Sequence, residues 1–243
     1  MNLVDEKEVT KMSISMFEDM KRQYRVSRDR DRIAQLRRVG ERIQNTISFW
    51  DMPDADWEFV LFEVPNQINA FAMAGGKVGV FTGLFKIAKT DDQLASVIAH
   101  EIAHVTAKHI HEKLSRELAV NTVGTVGMLG AGLGGAPILT TQALGAVYGI
   151  GTGVGGVAFD RRMEKEADLI GLMYMARAGF DPQESVKVLE ALEAEGASEP
   201  AQSSFLSTHP SNPERISQLL DAMPKALEAR AKSTAVTAPP VLK

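Results

Sequence analysis

The sequence predicts an α+β fold that is predominantly α, with a small β-sheet packed against one of the helices. Three observations favour it: most of the chain carries apolar residues at helical spacing, one stretch near residue 60 switches to a spacing of two, and the glycine pair at 75–76 marks a hairpin. The 243 residues and 44% hydrophobic content suffice for one sizeable core. We therefore expect a single domain over residues 1–225 and a flexible tail over 226–243.

The individual elements follow in order from these patterns. Two amphipathic helices are predicted within residues 4–47, joined near the charged stretch 26–32, and Trp57–Val64 is a predicted strand. The segment "INAFAMAGGKVGVFTG" adds two strands around the glycine pair. Further helices are predicted from capping residues and prolines: one beginning after Thr90, one from Asp160 to Ala178, one opened by Asp181, and a short one opened by Asn212.

Charge and cysteine content exclude several classes of function. The formal net charge is only −4, so nothing favours a nucleic-acid partner. The chain has no cysteine, which excludes disulfides and thiolate metal ligands, so a metal would need His, Asp or Glu. The start "MNLVDEKEVTKM" lacks an apolar run behind a basic end and is not a signal peptide as it stands.

Four of the five histidines lie in the stretch "SVIAHEIAHVTAKHIHEKLSRE". His100 and His104 are four apart, so on a helix both imidazoles can point at one ion, and zinc accepts such nitrogens at about 2.0–2.1 Å. Glu101 lies beside them. Zinc lowers the pKa of a water that it holds towards roughly 7, and a neighbouring carboxylate can take the proton. The alternative is a helix that carries this pattern by chance.

A catalytic zinc needs a third protein ligand, and "RRMEKEAD" offers one on a second helix. Glu164 could complete the set, and Asp168, one turn further on, could accept a hydrogen bond from the outer nitrogen of a ligand histidine. Glu166 points about 160° away from Asp168 on a regular helix and is the weaker candidate. The alternative is a charged, solvated helix face.

These two motifs together resemble metallopeptidase family 48, of the HtpX and CAAX prenyl protease type, and most closely its soluble periplasmic BepA- and LoiP-like members. The resemblance covers most of residues 2–220 and includes "NLVDEKEV", "DDQLASVIAHEIAHVTAKH", "EKEADLIG", "ARAGFDP" and "STHPSNPERI" in the family order. It implies a thermolysin-like zincin domain with one Zn²⁺ per chain. The implied roles are zinc ligands for His100, His104 and Glu164, general base for Glu101, and positioning of a ligand for Asp168.

The other three histidines and Arg215 have different expected roles. By resemblance, His209 and Arg215 face the metal. His209 could stabilise the oxyanion or occupy the fourth zinc position and hold the enzyme inactive; the alternative is a helix-entry histidine without a metal role. Arg215 either binds a substrate carbonyl or anchors its loop. His109 and His111 are predicted to be polar positions near the end of a long helix, and neither is a predicted ligand.

Two other segments bear on substrate access. By resemblance, Asn69 and Ala70 lie on an edge strand beside the cleft, where an extended substrate adds by main-chain hydrogen bonds; an ordinary hairpin is the alternative. Residues 118–159 carry no charge and are long enough to cross a bilayer. Their many glycines and Pro137 favour instead a helical hairpin that acts as a lid, with membrane spanning as the alternative.

The resulting prediction is a zinc-dependent endopeptidase that cleaves unfolded or extended protein segments in quality control. The family resemblance places it in a bacterial periplasm or cell envelope rather than the cytoplasm. Membrane association is expected through an N-terminal lipid anchor absent from this chain or through residues 118–159. The competing predictions are a proteolytically latent zinc-containing chaperone or assembly factor, and an integral membrane protease.

Overall fold

In the computed structural model, the described residues are 5–47, 52, 55–116, 144–145, 148, 158–198 and 204–237. Helices dominate them and the strands form one small sheet, which confirms the predicted α+β class. The strands are β1 (Glu58–Phe62), β2 (Ala70–Met73) and β3 (Lys77–Phe81). The helices are α1 (Glu6–Gln23), α2 (Arg30–Gln44), α3 (Asp91–Thr106), α4 (109–116), α5 (Arg161–Arg177), α6 (Glu184–Ser198), α7 (Ser204–Thr208) and α8 (Pro213–Thr237).

The sheet has the order β1-β3-β2, with β1 parallel and β2 antiparallel to β3. Gly75 and Gly76 take φ values of 87° and 81°, which only glycine adopts readily, and they close the predicted hairpin between β2 and β3. All four residues of β2 are buried, and the strand contacts α3. The edge of the sheet therefore lies next to the helix that carries the histidine motif.

Helix α3 packs closely against α5. A Cβ atom built on Gly171 of α5 would lie 2.9 Å from the backbone nitrogen of His100 and 3.0 Å from the carbonyl carbon of Ala99. Glycine thus allows the two backbones to approach where a side chain would separate them. The buried core continues from α3 to α2, α6 and α8, and includes Leu36, Val39, Ile98, Ile102, Leu172 and Leu192.

Two helix ends differ from the prediction. Helix α3 stops at Thr106 because Lys108 adopts a φ of 60°, so the predicted long helix through His111 is instead two helices. The final helix is not short: α8 has 25 residues, its Ala226 is fully buried, and Ser233 Oγ donates to the backbone oxygen of Arg177. The flexible tail predicted from residue 226 is therefore helical as far as Thr237.

The predicted lid over 118–159 lies almost wholly outside the described residues. Of the few residues described there, Tyr148 is buried: its hydroxyl accepts a hydrogen bond from the backbone N–H of Ala74 at 3.1 Å and lies 3.0 Å from Ser13 Oγ. This point of the segment is therefore held to α1 and to the β2–β3 turn. Among the described helices, none combines the length and apolar character needed to cross a bilayer.

Candidate metal centre

Helix α3 presents two histidines on one buried face. Its start is fixed by a capping box, in which Thr90 Oγ1 accepts from the backbone N–H of Gln93 and the Gln93 side chain accepts from that of Thr90. The side chains of His100 and His104, one turn apart, bring their Nε2 atoms within 3.1 Å of each other. The predicted pair of imidazoles therefore converges on one point.

Glu164 reaches the same point from α5. Asp160 caps this helix, since its Oδ1 accepts from the backbone N–H of Met163 at 2.9 Å. The Glu164 carboxylate is buried, with Oε1 3.3 Å from His104 Nε2 and Oε2 3.6 Å from His100 Nε2. The three side chains predicted as ligands thus come together, although 60 residues separate the two motifs.

His209 supplies a fourth candidate ligand atom, the third nitrogen of the cluster. It follows α7, its ring stacks on Phe205 with centroids 4.4 Å apart, and its Nδ1 lies 3.3 Å from His100 Nε2 and 3.0 Å from Glu164 Oε1. The candidate ligand atoms of the four residues all lie within 4.8 Å of one another. A tetrahedral ion with bonds of about 2.0–2.1 Å needs ligand atoms about 3.3–3.4 Å apart, and the distances given above, from 3.0 to 3.6 Å, lie near that spacing.

The protonation of His104 and Glu164 also suits a cation, whereas that of His100 opposes it. Burial lowers the pKa of His104 well below its ordinary value, so this imidazole is neutral near pH 7 and has a free lone pair. Burial would raise the pKa of Glu164, but the neighbouring imidazoles, His209 first, outweigh it and hold that pKa well below the usual range. Burial likewise disfavours the charged form of His100, yet Asp168 and Glu164 raise its pKa, so a metal ion must compete with a proton at that ring.

Asp168 and Arg215 support the first histidine from behind. His100 Nδ1 lies 3.0 Å from Asp168 Oδ1, and Arg215 donates two hydrogen bonds to the same carboxylate at 2.7 and 2.8 Å. Arg215 also lies 2.7 Å from Glu164 Oε2 and donates to the backbone oxygen of Pro210. Arg215 thus joins its own loop to Asp168, and Asp168 contacts the outer nitrogen of His100; the functional roles expected of both residues stay predictions.

Glu101 lies beside the ligands rather than among them. Its Oε1 is buried, has no hydrogen-bond partner among the described residues, and is 3.4 Å from His209 Nε2. Burial raises the pKa of this carboxyl group. It borders a cavity of about 10 Å³, close to the space that one water molecule needs, which His104, His209 and Ala70 also line.

The two residues predicted on the substrate edge have different surroundings. Ala70 begins β2 and faces the small cavity with Glu101. Asn69 is buried, and its backbone oxygen already accepts the N–H of Phe81 in β3. The structure therefore brings Ala70 to the candidate site, while this main-chain group of Asn69 pairs within the sheet.

The sequence interpretation missed His109. This side chain is almost fully buried, and its Nδ1 lies 3.0 Å from Nδ1 of His104. On an uninterrupted helix, five residues turn a side chain about 140° away from His104, so spacing alone placed it on another face. The positive φ of Lys108 redirects the chain, and no pattern in a single sequence signals that a lysine will adopt it.

Comparison with known proteins decides the family. The profile described as peptidase family M48 matches residues 32–223. The chain belongs to this family. Because M48 members are metal-dependent peptidases, the buried His-His-Glu-His cluster of this M48 chain is where its metal is expected to bind.

Curated relatives agree with the assignment. The mitochondrial metalloendopeptidase OMA1 of Schizosaccharomyces pombe is 34% identical over 195 residues, which are 80% of this chain and 55% of that protein. OMA1 of Saccharomyces cerevisiae is 36% identical over 178 residues (71% and 48%). The beta-barrel assembly-enhancing protease of Escherichia coli K12 is 39% identical over 178 residues (71% and 35%). The chain thus spans about a third to about half of the length of these relatives.

Proposed function

We propose that this M48 chain is a zinc-dependent endopeptidase that cleaves unfolded or extended protein segments. One observation carries the proposal: His100, His104 and Glu164 place two imidazole nitrogens and a carboxylate 3.1–3.6 Å from one another, with the buried carboxylate of Glu101 beside them. Two nitrogens and one oxygen in this geometry are a ligand set typical of catalytic zinc. We infer one Zn²⁺ per chain, since the described residues contain one such cluster.

In the proposed mechanism, zinc supplies Lewis acidity at this point of the cleft. Glu101 takes a proton from a water molecule in the small cavity as that water attacks the peptide carbonyl carbon. The same carboxyl group then gives the proton to the leaving amine when the C–N bond breaks. Its raised pKa suits both steps, because a general acid and base works best when its pKa approaches the working pH.

The shape of the site supports the proposed substrate class. The cavity next to Glu101 is narrow and is enclosed in part by Tyr148 and Phe159. Folded proteins do not enter such a space, whereas an extended segment can lie along the outer edge of β2 and pair with its main chain. Ala70, at the start of β2 and facing the cavity, is the substrate-binding residue that we favour; Asn69 would act beside it.

We further propose that the protein acts in the quality control of a bacterial periplasm or cell envelope. The support is similarity to a protease named for enhancing β-barrel assembly. The similarity to mitochondrial metalloendopeptidases supports the peptidase chemistry but not that location. Association with the membrane, through an N-terminal anchor or residues 118–159, belongs to the same proposal.

A casein digestion assay tests the proposed chemistry. We expect cleavage by zinc-loaded protein, loss of cleavage with a chelator and recovery after zinc is added back. Glu101→Gln should reduce cleavage by about 10²–10⁴-fold and still bind one zinc ion, because Glu101 handles protons and is not a ligand. Full cleavage by the zinc-loaded Glu101→Gln variant would refute this mechanism.

The position of His209 favours one second candidate, a latent zinc protein with a chaperone or assembly role. Its Nδ1 completes a four-ligand set, and closed sets of four are typical of structural zinc. The other role of His209, stabilising the oxyanion, requires it to leave that set. His209→Ala separates the two: faster cleavage indicates release from a latent state, slower cleavage indicates an oxyanion role, and client binding without cleavage in both proteins supports the chaperone.

A further inference from the structure

The two histidines of α3 are supported from behind in different ways. His100 donates directly towards the buried carboxylate of Asp168, as described above. Among the described residues, Nδ1 of His104 has no carboxylate partner and instead faces Nδ1 of His109 at 3.0 Å. Because Nε2 of His104 points at His100 and Glu164, Nδ1 is the nitrogen that must carry the proton when this ring binds a cation.

The hydrogen-bond direction can be followed outward from that proton. His104 donates through Nδ1, so His109 must accept through its own Nδ1 and carry its proton on Nε2. That Nε2 lies 3.3 Å from Oε2 of Glu166. Arg162 donates a hydrogen bond to the same oxygen of Glu166 at 3.3 Å. It also donates to both carboxylate oxygens of Glu112, at 2.6 and 2.7 Å. Each imidazole N–H on the path from His104 to Glu166 therefore has an acceptor.

Each of the two histidines of α3 is connected to a carboxylate that is paired with an arginine, His100 directly and His104 through His109. His100 contacts the carboxylate of Asp168, which accepts hydrogen bonds from Arg215, and both of these residues are buried. Behind His104 the corresponding carboxylate and arginine are Glu166 and Arg162, which are about half exposed, and His109 spans the distance between the surface and the ring. The break at Lys108 is what makes this possible, because it directs α4 back beneath His104.

We propose that His109 is a positioning residue, which fixes the tautomer and the ring orientation of His104 and is itself oriented by Glu166. The inference rests on the proposed metal site, since it assigns a role in holding one of its ligands. Groups in this position orient ligand histidines, and their loss typically lowers metal affinity by about 10–100-fold. Phe159 packs against the ring of His104 with centroids 3.9 Å apart but offers it no hydrogen bond in place of His109.

Three substitutions separate hydrogen bonding from packing. His109→Phe keeps a ring and removes both nitrogens; His109→Asn keeps an acceptor near the position of Nδ1. His111→Phe is the matched control, because His111 is also a buried histidine of α4 but neither of its nitrogens has a hydrogen-bond partner among the described residues. Zinc affinity would be measured on the full chain by competition with a chromophoric chelator, and the Nδ1–H of His104 by nitrogen-15 NMR of the zinc-loaded protein.

We expect His109→Phe to bind zinc about 10–100-fold more weakly than wild type and to lose the protected Nδ1–H signal of His104. His109→Asn should recover most of the affinity, and His111→Phe should bind like wild type. Unchanged affinity in His109→Phe overturns the inference, as do equal losses in His109→Phe and His111→Phe or a His109→Asn variant as weak as His109→Phe. If wild type binds no zinc, the proposed function itself fails; if wild type binds and His109→Phe binds equally, only this inference fails.

Discussion

Replacing Gly171 by alanine should weaken metal binding while the protein stays folded. The added Cβ would lie 2.9 Å from the backbone nitrogen of His100 and 3.0 Å from its Cα, whereas ordinary contact begins at 3.4 Å. Both atoms belong to the backbone of α3, so no side chain can rotate away. Helices α3 and α5 must separate by about 0.5 Å, the difference between 2.9 and 3.4 Å. Metal sites tolerate deviations of only about ±0.2 Å in ligand distances, so Glu164 should no longer complete the set.

The expected losses in free energy of unfolding and in zinc affinity can both be worked out. Overpacking costs about 1–3 kcal/mol, and alanine in place of glycine in a helix returns about 1 kcal/mol, so the net loss in free energy of unfolding should stay near 0–2 kcal/mol. A displaced ligand should cost about tenfold or more in zinc affinity, by analogy with the loss of a group that orients a ligand.

Chelator competition and urea unfolding of the metal-free protein measure the two quantities. Ile43→Val, in the core contact of α2, is the control: it should cost about 0.5–1.5 kcal/mol of stability and leave zinc affinity unchanged. Wild-type zinc affinity in the folded Gly171→Ala variant would refute the argument that this close approach sets the ligand geometry.

Three further outcomes are expected. Asp168→Asn should lower zinc affinity by about 10–100-fold in chelator competition, because it removes the charge that orients His100; equal affinity would contradict that role. Burial raises the pKa of Tyr148 to about 12, so its stabilising contribution is complete below the ordinary value of 10.0 and is lost as the pH rises towards 12. In urea unfolding, wild type should therefore lose up to about 3 kcal/mol more than Tyr148→Phe across that window, and parallel pH profiles would contradict it. Gly83→Ala should reduce the free energy of unfolding by about 2 kcal/mol or more, since its Cβ would meet the Gln67 backbone oxygen at 2.1 Å; unchanged stability in the same assay would show that the backbone there yields freely.

Local parts of the site could be predicted because they depend on short-range geometry. The four-residue spacing of His100 and His104 places both on one helix face, and Thr90 and Asp160 cap their helices as expected. Spacing alone could offer Glu164 only as a candidate on a second helix. The family resemblance gave it the role of third ligand, and the close packing of α3 on α5 brings it to the two histidines.

The parts that could not be predicted depend on single backbone angles or on contacts distant in sequence. His109 joins the site only because Lys108 adopts a positive φ, which its residue type disfavours. The pattern of apolar and polar residues in β1 and β3 does not indicate that the two strands pair in parallel. Helix α8 persists past residue 226 because Ala226 packs into the core and Ser233 bonds to α5, contacts that composition does not reveal.

Anomalous diffraction at the zinc absorption edge, from crystals of the zinc-loaded chain, tests the central claim most directly. We predict a single peak about 2.0–2.2 Å from Nε2 of His100, Nε2 of His104 and a carboxylate oxygen of Glu164. The same map shows whether His209 or a water molecule occupies the fourth ligand position. A zinc peak elsewhere, or one that the two histidines share while Glu164 turns away, would contradict the account.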